Sequence, residues 1–123
     1  MKSKVIQKIL LLDDDRIQKI LVEKRLLKIN AGVEFVYFDL PSKALDYLKS
    51  ESVDLLLIDL NLPEMSGWDF VIEVEKVSPD SIVILQSGSV GRDEIKQANL
   101  YEKVNRIFEK PLSDSDLRSI LDL

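Results

Sequence analysis

Four apolar runs in this 123-residue chain each stop at a polar side chain. Lys8–Leu12 ends at Asp13, Asp14 and Asp15, and Val53–Ile58 ends at Asp59. Ser81–Gln86 leads to Ser87, and Val104–Glu109 leads to Lys110 followed by Pro111. As neighbouring parallel strands, these runs would gather a carboxylate cluster, a hydroxyl and an ammonium around one crevice. Such a set can hold a divalent cation and handle a phosphoryl group. Carboxylates so close together repel: two unit charges ~4 Å apart do so by about 4 kcal/mol at an effective dielectric of about 20. Either protonation or a bound cation must relieve that repulsion. Mg²⁺ takes one or two carboxylates, keeps several waters and shares its shell with phosphate oxygens, so it suits the second answer. Asp14 and Asp59 are the expected direct ligands, with Asp13 acting through water. An acid that merely complements a helix N-terminus would account for Asp15, but not for a carboxylate arriving from another strand.

The elements that must position these groups alternate along the chain, as in an α/β domain with a parallel sheet. From about Asp15 to Lys28, Ile17, Ile20, Leu21 and Leu27 read as the buried stripe of a helix. Gly32 and Val33–Phe38 read as a second strand. Asp39 is the expected cap of a helix with Pro41 just inside its start, running through Ala44, Leu45 and Leu48. Val53–Ile58, apolar apart from Asp54, reads as a central strand covered on both faces. Leu60–Gly67 is a loop, and the helix after it carries Phe70, Val71, Val74 and Val77 inward until Ser78-Pro79-Asp80. Arg92–Asn99 is a weakly amphipathic helix with Ile95 and Ala98 as its apolar residues. Ser113 with Asp116 three residues on reads as a capping box for a last helix burying Leu117, Ile120 and Leu121. Five strands and five helices predict a single-domain, flavodoxin-like (βα)5 sandwich over residues 1–123, with sheet order 2-1-3-4-5 and no output domain. In that order the first and third strands meet at the switch point where ligands bind, which would set Asp13, Asp14 and Asp59 side by side.

Composition narrows the classes. A chain of this length can bury a core without staples, and 46% hydrophobic with 32% charged residues is an ordinary globular balance. The absence of Cys and His removes disulfides, thiol and imidazole catalysis, most zinc chemistry and any phosphohistidine-carrier role. The net charge of −5 argues against direct nucleic-acid binding. Lys19, Lys24, Arg25 and Lys28, interleaved with Glu23, read as a solvated helix face. No apolar stretch reaches the roughly 20 residues of a membrane span, and Met1–Lys4 does not open a signal peptide. The expected location is cytoplasmic, with no membrane contact.

The motifs together resemble the receiver domain of two-component response regulators, of the chemotaxis-regulator kind, over essentially the whole chain. Ile-Leu-Leu-Leu-Asp13-Asp14-Asp15 resembles the family's acidic opening. Leu-Ile-Asp59-Leu-Asn61-Leu-Pro63-Glu-Met-Ser-Gly67-Trp-Asp resembles its phosphoacceptor segment. Ser87-Gly88 and Lys110-Pro111 match its remaining two signatures. The resemblance implies that Asp59 accepts a phosphoryl group from the phosphohistidine of a sensor histidine kinase or histidine phosphotransfer protein. It further implies that Asp13, Asp14, Asp59 and the backbone carbonyl of Asn61 hold Mg²⁺, while Lys110 and Ser87 engage the phosphoryl oxygens. The domain would catalyse only its own phosphorylation and dephosphorylation. It would then bind a downstream protein through its fourth helix, fifth strand and fifth helix, with dimerisation on phosphorylation left open. One position departs from the pattern: three residues before Lys110, where the family usually has a switching aromatic, stands Ile107. Phe108 is adjacent, but strand alternation points it to the opposite face. Leu100, Tyr101 and Ile107 are the expected partner-binding residues, and Trp68 reads as packing.

Two other readings compete. Asp13-x-Asp15 after four apolar residues resembles the nucleophile motif of haloacid-dehalogenase-type phosphatases. However, Ile17 stands where that motif has Thr or Val, and Asp59 would have no task. A receiver-like scaffold that works without phosphorylation is the other; Ile107 is the feature in its favour, and retention of all five site positions speaks against it.

Overall fold

The β-branched and leucine-rich runs form a five-stranded sheet in the computed structural model, which describes residues 5–122. Met1–Lys4, and with them the reading of the chain's start, lie outside the described residues, as does Leu123. In chain order the elements are β1 (Lys8–Leu12), α1 (Arg16–Ile29), β2 (Glu34–Phe38), α2 (Pro41–Ser50), β3 (Leu55–Asp59) and α3 (Gly67–Val77), followed by β4 (Ile82–Ser87), α4 (Arg92–Asn99), β5 (Val104–Glu109) and α5 (Asp114–Leu121). The sheet order is β2-β1-β3-β4-β5, with every pair parallel. This is the expected flavodoxin-like three-layer domain.

Helices cover both faces, so the central strands are apolar on successive residues rather than on alternate ones. Leu10, Leu12, Leu56, Ile58, Val83 and Leu85 pack against Ala44 and Leu48 of α2 and Phe70, Val71 and Val74 of α3. Ile9, Leu11, Leu55, Leu57 and Ile84 pack against Val22 and Leu26 of α1 and Leu117 and Ile120 of α5. Each such fully buried side chain contributes about 1.5–3 kcal/mol relative to exposure. Alternation continued to the strand ends places Asp13, Asp59 and Gln86 on the α1/α5 side, and Ser87 on the side of α2 and α3. At β4–β5 the register passes from Val83↔Val104 to Ile84↔Arg106, leaving Asn105 as an extra residue. The bulge sets Ile107 opposite Leu85 and Phe108 opposite Gln86, so the two side chains face opposite layers as alternation requires.

Several local readings change. α1 forms, but its buried face is Gln18, Val22 and Leu26, while Ile17, Ile20 and Leu27 stay exposed. A polar residue inside the buried stripe disguised its i, i+4, i+8 spacing. Asp39 does not cap α2: the N-cap is Leu40, which makes no side-chain cap. Glu64, from the loop after β3, accepts instead from Ser42 N–H at 2.9 Å and Ser42 Oγ–H at 3.0 Å, and Asp39 pairs with Lys43. Glu64 does so with φ of 68°, an uncommon region for a residue with a side chain. β2 starts at Glu34 rather than at Gly32, and β3 runs from Leu55 through Asp59 itself. Lys19 bridges to Glu23 at 2.9 Å, as a solvated face would, but Arg25 is not part of that face, since its guanidinium donates to the Leu112 carbonyl and pairs with Asp114 of α5. The capping box of Ser113 and Asp116 is present, with Leu117 and Ile120 buried behind it.

Gly67 starts α3 where the helix presses on β3. A Cβ there would lie 2.8 Å from both the Asp59 carbonyl oxygen and the Leu60 Cα, atoms of the backbone that cannot swing aside. Gly67→Ala should therefore destabilise the fold by about 1–3 kcal/mol, the usual range for overpacking. A urea midpoint that falls at unchanged m-value is the expected result; an unchanged midpoint would show that the loop yields.

Candidate functional site

The site is built at the carboxyl ends of β1, β3, β4 and β5. β1 delivers Asp13 with no exposed surface, and β3 delivers Asp59 at 3% exposure. Asp14 is exposed at the rim. Asp15 serves as N-cap of α1, accepting from the N–H groups of Ile17 and Gln18, so it turns away from the cluster. Carboxylate oxygens of Asp13, Asp14 and Asp59 lie within 4.8 Å of one another. Lys110, at the end of β5, places its ammonium 3.0 Å from Asp13 Oδ2 and 2.8 Å from Asp59 Oδ2. Four of the residues singled out from the sequence thus converge: Asp13, Asp14, Asp59 and Lys110.

Backbone and side-chain donors fix the two buried acids. Asp15 N–H donates to Asp13 Oδ1 at 2.9 Å, and Asn61 N–H donates to Asp59 Oδ1 at 3.0 Å. The Tyr37 hydroxyl donates to the Asp13 carbonyl at 2.6 Å, anchoring the turn from the neighbouring strand. Gln86 Nε2 donates to Asp13 Oδ2 at 3.2 Å. Neither Tyr37 nor Gln86 was singled out in the sequence. For Gln86 the signal was available: an amide closing an otherwise aliphatic run. Ser87 is buried and is tied to β5, because Lys110 N–H donates to its carbonyl at 2.8 Å. Its hydroxyl accepts from Ser89 N–H at 3.4 Å. Ser87 and Asn61 line a cleft of about 550 Å³ that also takes in Ser66, Trp68 and Glu94. Trp68 stacks on Tyr101, ring centroids 5.3 Å apart and planes 21° apart, a packing contact at the wall of that cleft. The Lys110–Pro111 peptide is cis.

The charges do not balance. Burial drives the Asp13 carboxyl up to about 6, against the opposing hydrogen bonds from Asp15 and Lys110, and the Asp59 charge adds to the rise. Burial also works to lower the Lys110 ammonium, but the hydrogen bonds it donates to Asp59 and Asp13 outweigh it and hold the group above its ordinary value. Three carboxylates face one ammonium, a deficit of two positive charges. Oxygen-only ligands with one carboxylate at the solvent edge fit a small divalent cation.

The response regulator receiver domain family matches residues 9–122. This chain belongs to that family. The receiver domain is 29% identical over 113 residues to the autoinducer 1 sensor kinase/phosphatase LuxN of Vibrio campbellii, covering 92% of this chain but 13% of LuxN. It is 32% identical over 82 residues to the response regulator receiver protein CpdR of Brucella abortus, covering 67% of each. The receiver domain of a Pseudomonas aeruginosa PAO1 sensor histidine kinase, solved with magnesium coordinated in its active site cleft, matches with a TM-score of 0.81. That match covers 94% of both chains at 19% identity, a likeness of fold. The fold is that of a signalling domain of two-component systems. Among the described residues no helix is long and apolar enough to cross a membrane.

The raised Asp13 value has a definite sign in stability. The folded state binds a proton as pH falls through about 6, whereas the unfolded chain waits until about 3.8; between these values protonation favours the fold. In EDTA, the wild type should gain stability relative to Asp13→Asn on going from pH 7 to pH 5. Parallel urea midpoints for the two proteins across that range would contradict it.

Proposed function

We propose that this receiver domain takes a phosphoryl group from the phosphohistidine of a sensor histidine kinase or histidine phosphotransfer protein onto Asp59. The observation that carries this reading is the placement of Asp59. It is buried at the end of the central strand, 2.8 Å from the Lys110 ammonium and within reach of two further carboxylates. An Asp59 oxygen forms the new bond to phosphorus as the phosphorus–nitrogen bond to imidazole breaks. The imidazole, already protonated by solvent at its other ring nitrogen, takes the bond pair and leaves as the neutral ring. A carboxylate is already ionised near neutral pH, so the attack needs no general base. Charge in the transition state spreads over the equatorial oxygens, and positioning with countercharge supplies most of the catalysis. Lys110 provides one countercharge and the Ser87 hydroxyl a hydrogen bond. Asp14 and Asp59 would hold Mg²⁺ directly, Asp13 through water, and the backbone carbonyl of Asn61 would complete the protein ligands. When bound, the ion supplies the positive charge the pocket lacks.

The phosphatase reading loses its second acid, because Asp15 is spent on the cap of α1. The scaffold reading has no need of a buried acid pair sharing one lysine. In the signalling reading, the phosphoryl group shifts an equilibrium between two conformations through contacts that differ between them. A shift from 1:99 to 99:1 requires about 5.5 kcal/mol. Ser87 drawn toward the phosphoryl oxygen is the expected trigger, and the face carrying Leu100, Tyr101 and Ile107 is the expected readout to a downstream protein.

Asp59→Asn should abolish uptake of one phosphoryl group from acetyl phosphate, followed by intact mass, while the fold persists. The substitution is nearly isosteric and removes a repelling charge, so the melting temperature in EDTA should hold or rise. Labelling of Asp59→Asn at wild-type stoichiometry would remove Asp59 as the acceptor. With beryllofluoride and Mg²⁺, amide NMR shifts should extend from the pocket to Leu100, Tyr101 and Ile107. Shifts confined to the pocket would defeat the proposed readout face.

A further inference from the structure

β4 runs through Ile82, Val83, Ile84 and Leu85 before it turns polar at Gln86, a side chain with no exposed surface. It stands where the apolar layer meets the acidic pocket: Ile84 on the same face belongs to the cluster under α1 and α5, while its partners in register are Phe108 of β5 and Asp59 of β3. A buried amide in such a place is expected to be fully hydrogen-bonded. Here only half of it is. Nε2 donates to Asp13 Oδ2, while Oε1 has no hydrogen-bond partner among the described residues. Packing alone is therefore a poor account of Gln86, since an unbranched apolar side chain would fill the volume without the orphaned oxygen.

The reach of the side chain is informative. Gln86 is in register with Asp59, and β3 separates β4 from β1. Two strand spacings of about 4.8 Å lie between the backbones that this hydrogen bond joins. The amide thus crosses the width of β3, at the level of the central aspartate, to hold the acid on the far strand. Asp13 is then fixed at both oxygens, by Asp15 N–H on Oδ1 and by Gln86 and Lys110 on Oδ2. Lys110 is shared with Asp59, so Gln86 is the side chain that serves Asp13 alone. Its neutrality is the second point. A lysine or arginine in its place would hold Asp13 but cancel the negative charge that a divalent cation needs. A leucine would leave the charge and lose the hold.

We propose that Gln86 is a positioning residue of the divalent-cation site, orienting the Asp13 carboxylate for the ion's water shell without neutralising it. This rests on the reading of the acidic pocket as a Mg²⁺ site. Residues that orient metal ligands in this way typically change affinity by 10–100-fold when replaced.

The test is Mg²⁺ titration followed by the amide NMR shifts of Asp14 and Asn61, with thermal melting in EDTA measured alongside. Gln86→Met, close in shape and apolar, should weaken Mg²⁺ binding by about tenfold while the metal-free melting temperature holds or rises. Gln86→Asn keeps the amide but falls one methylene short, and it should show the same loss of affinity; it carries the test if the methionine variant does not fold. In an Asp13→Asn background, either substitution should have no further effect on affinity. Wild-type affinity in Gln86→Met or Gln86→Asn, or a loss that persists undiminished in the Asp13→Asn background, would overturn the role of Gln86. A wild-type protein whose Asp14 and Asn61 amides ignore Mg²⁺ would instead overturn the metal reading beneath it.

Discussion

Two buried carboxylates on adjacent strands share one ammonium, and the surrounding architecture follows from making that tolerable. Taking Asp13, Asp59 and Lys110 out of water costs several kcal/mol per ion, which their attraction offsets only when the geometry is good and the remaining oxygens are satisfied. Here Lys110 stands 3.0 and 2.8 Å from the two acids, and backbone N–H groups of Asp15 and Asn61 take up the opposite oxygens. Those donors come from the turns that follow β1 and β3. The strands must therefore end in register with one another, and the chain must turn sharply after each acid. Neither turn can be altered without leaving a charged oxygen unpaired.

The sheet supplies the register. The three central strands share one packing pattern: Ile9 and Leu11 of β1, Leu55 and Leu57 of β3, and Ile84 of β4 all face the layer of α1 and α5. Two residues beyond the last of these in each strand stands a polar group of the site, namely Asp13, Asp59 or Gln86. A slip of one residue in β3 would turn Asp59 into the layer of α2 and α3 and present Leu57 to the wrong helices. The aliphatic core and the polar site are thus products of the same alternation. The parallel arrangement adds that all strand ends with this chemistry lie on one edge of the molecule, beside the switch point between β1 and β3.

How much of this could be read from residues alone depends on the range of the interactions. Strand ends were legible because a charge or hydroxyl terminates an aliphatic run, and the order of the sheet follows from strict alternation of strands and helices. Asp13, Asp14, Asp59 and Lys110 were legible for the same reason. The buried face of α1 was not, because Gln18 interrupts it while Ile17, Ile20 and Leu27 make a more apolar stripe on the solvent side. The α2 cap was not, because its carboxylate comes from Glu64, 22 residues away. Gln86 is visible as an amide closing an aliphatic run, but its partner is not, because that partner lies 73 residues distant and no local periodicity encodes a hydrogen bond of that span. Local rules thus place the elements; they fail where a polar side chain is buried inside an apolar stripe, as at Gln18, or answers to a distant group, as at Glu64 and Gln86.

The same contacts constrain how a signal could leave the pocket. Ser87 is joined to β5 through Lys110 N–H, and the loop after it is tied to β5 again, because Val90 N–H donates to Glu109 Oε1 at 3.0 Å. Under the proposed switch, a backbone movement of Ser87 toward Asp59 would loosen the Glu109 contact or carry β5 along. Gly88 leaves open space where a Cβ would stand, so the first residue of that loop does not obstruct the movement. Trp68 lines the cleft beside Ser87 and stacks on Tyr101, next to β5 in sequence, while Ile107 packs on the same core layer. A switching aromatic at position 107 would have to change rotamer as the space behind the moving loop changes. In this chain position 107 is aliphatic, and the aromatic contact that joins the cleft wall to the approach to β5 is the Trp68–Tyr101 stack in the same layer.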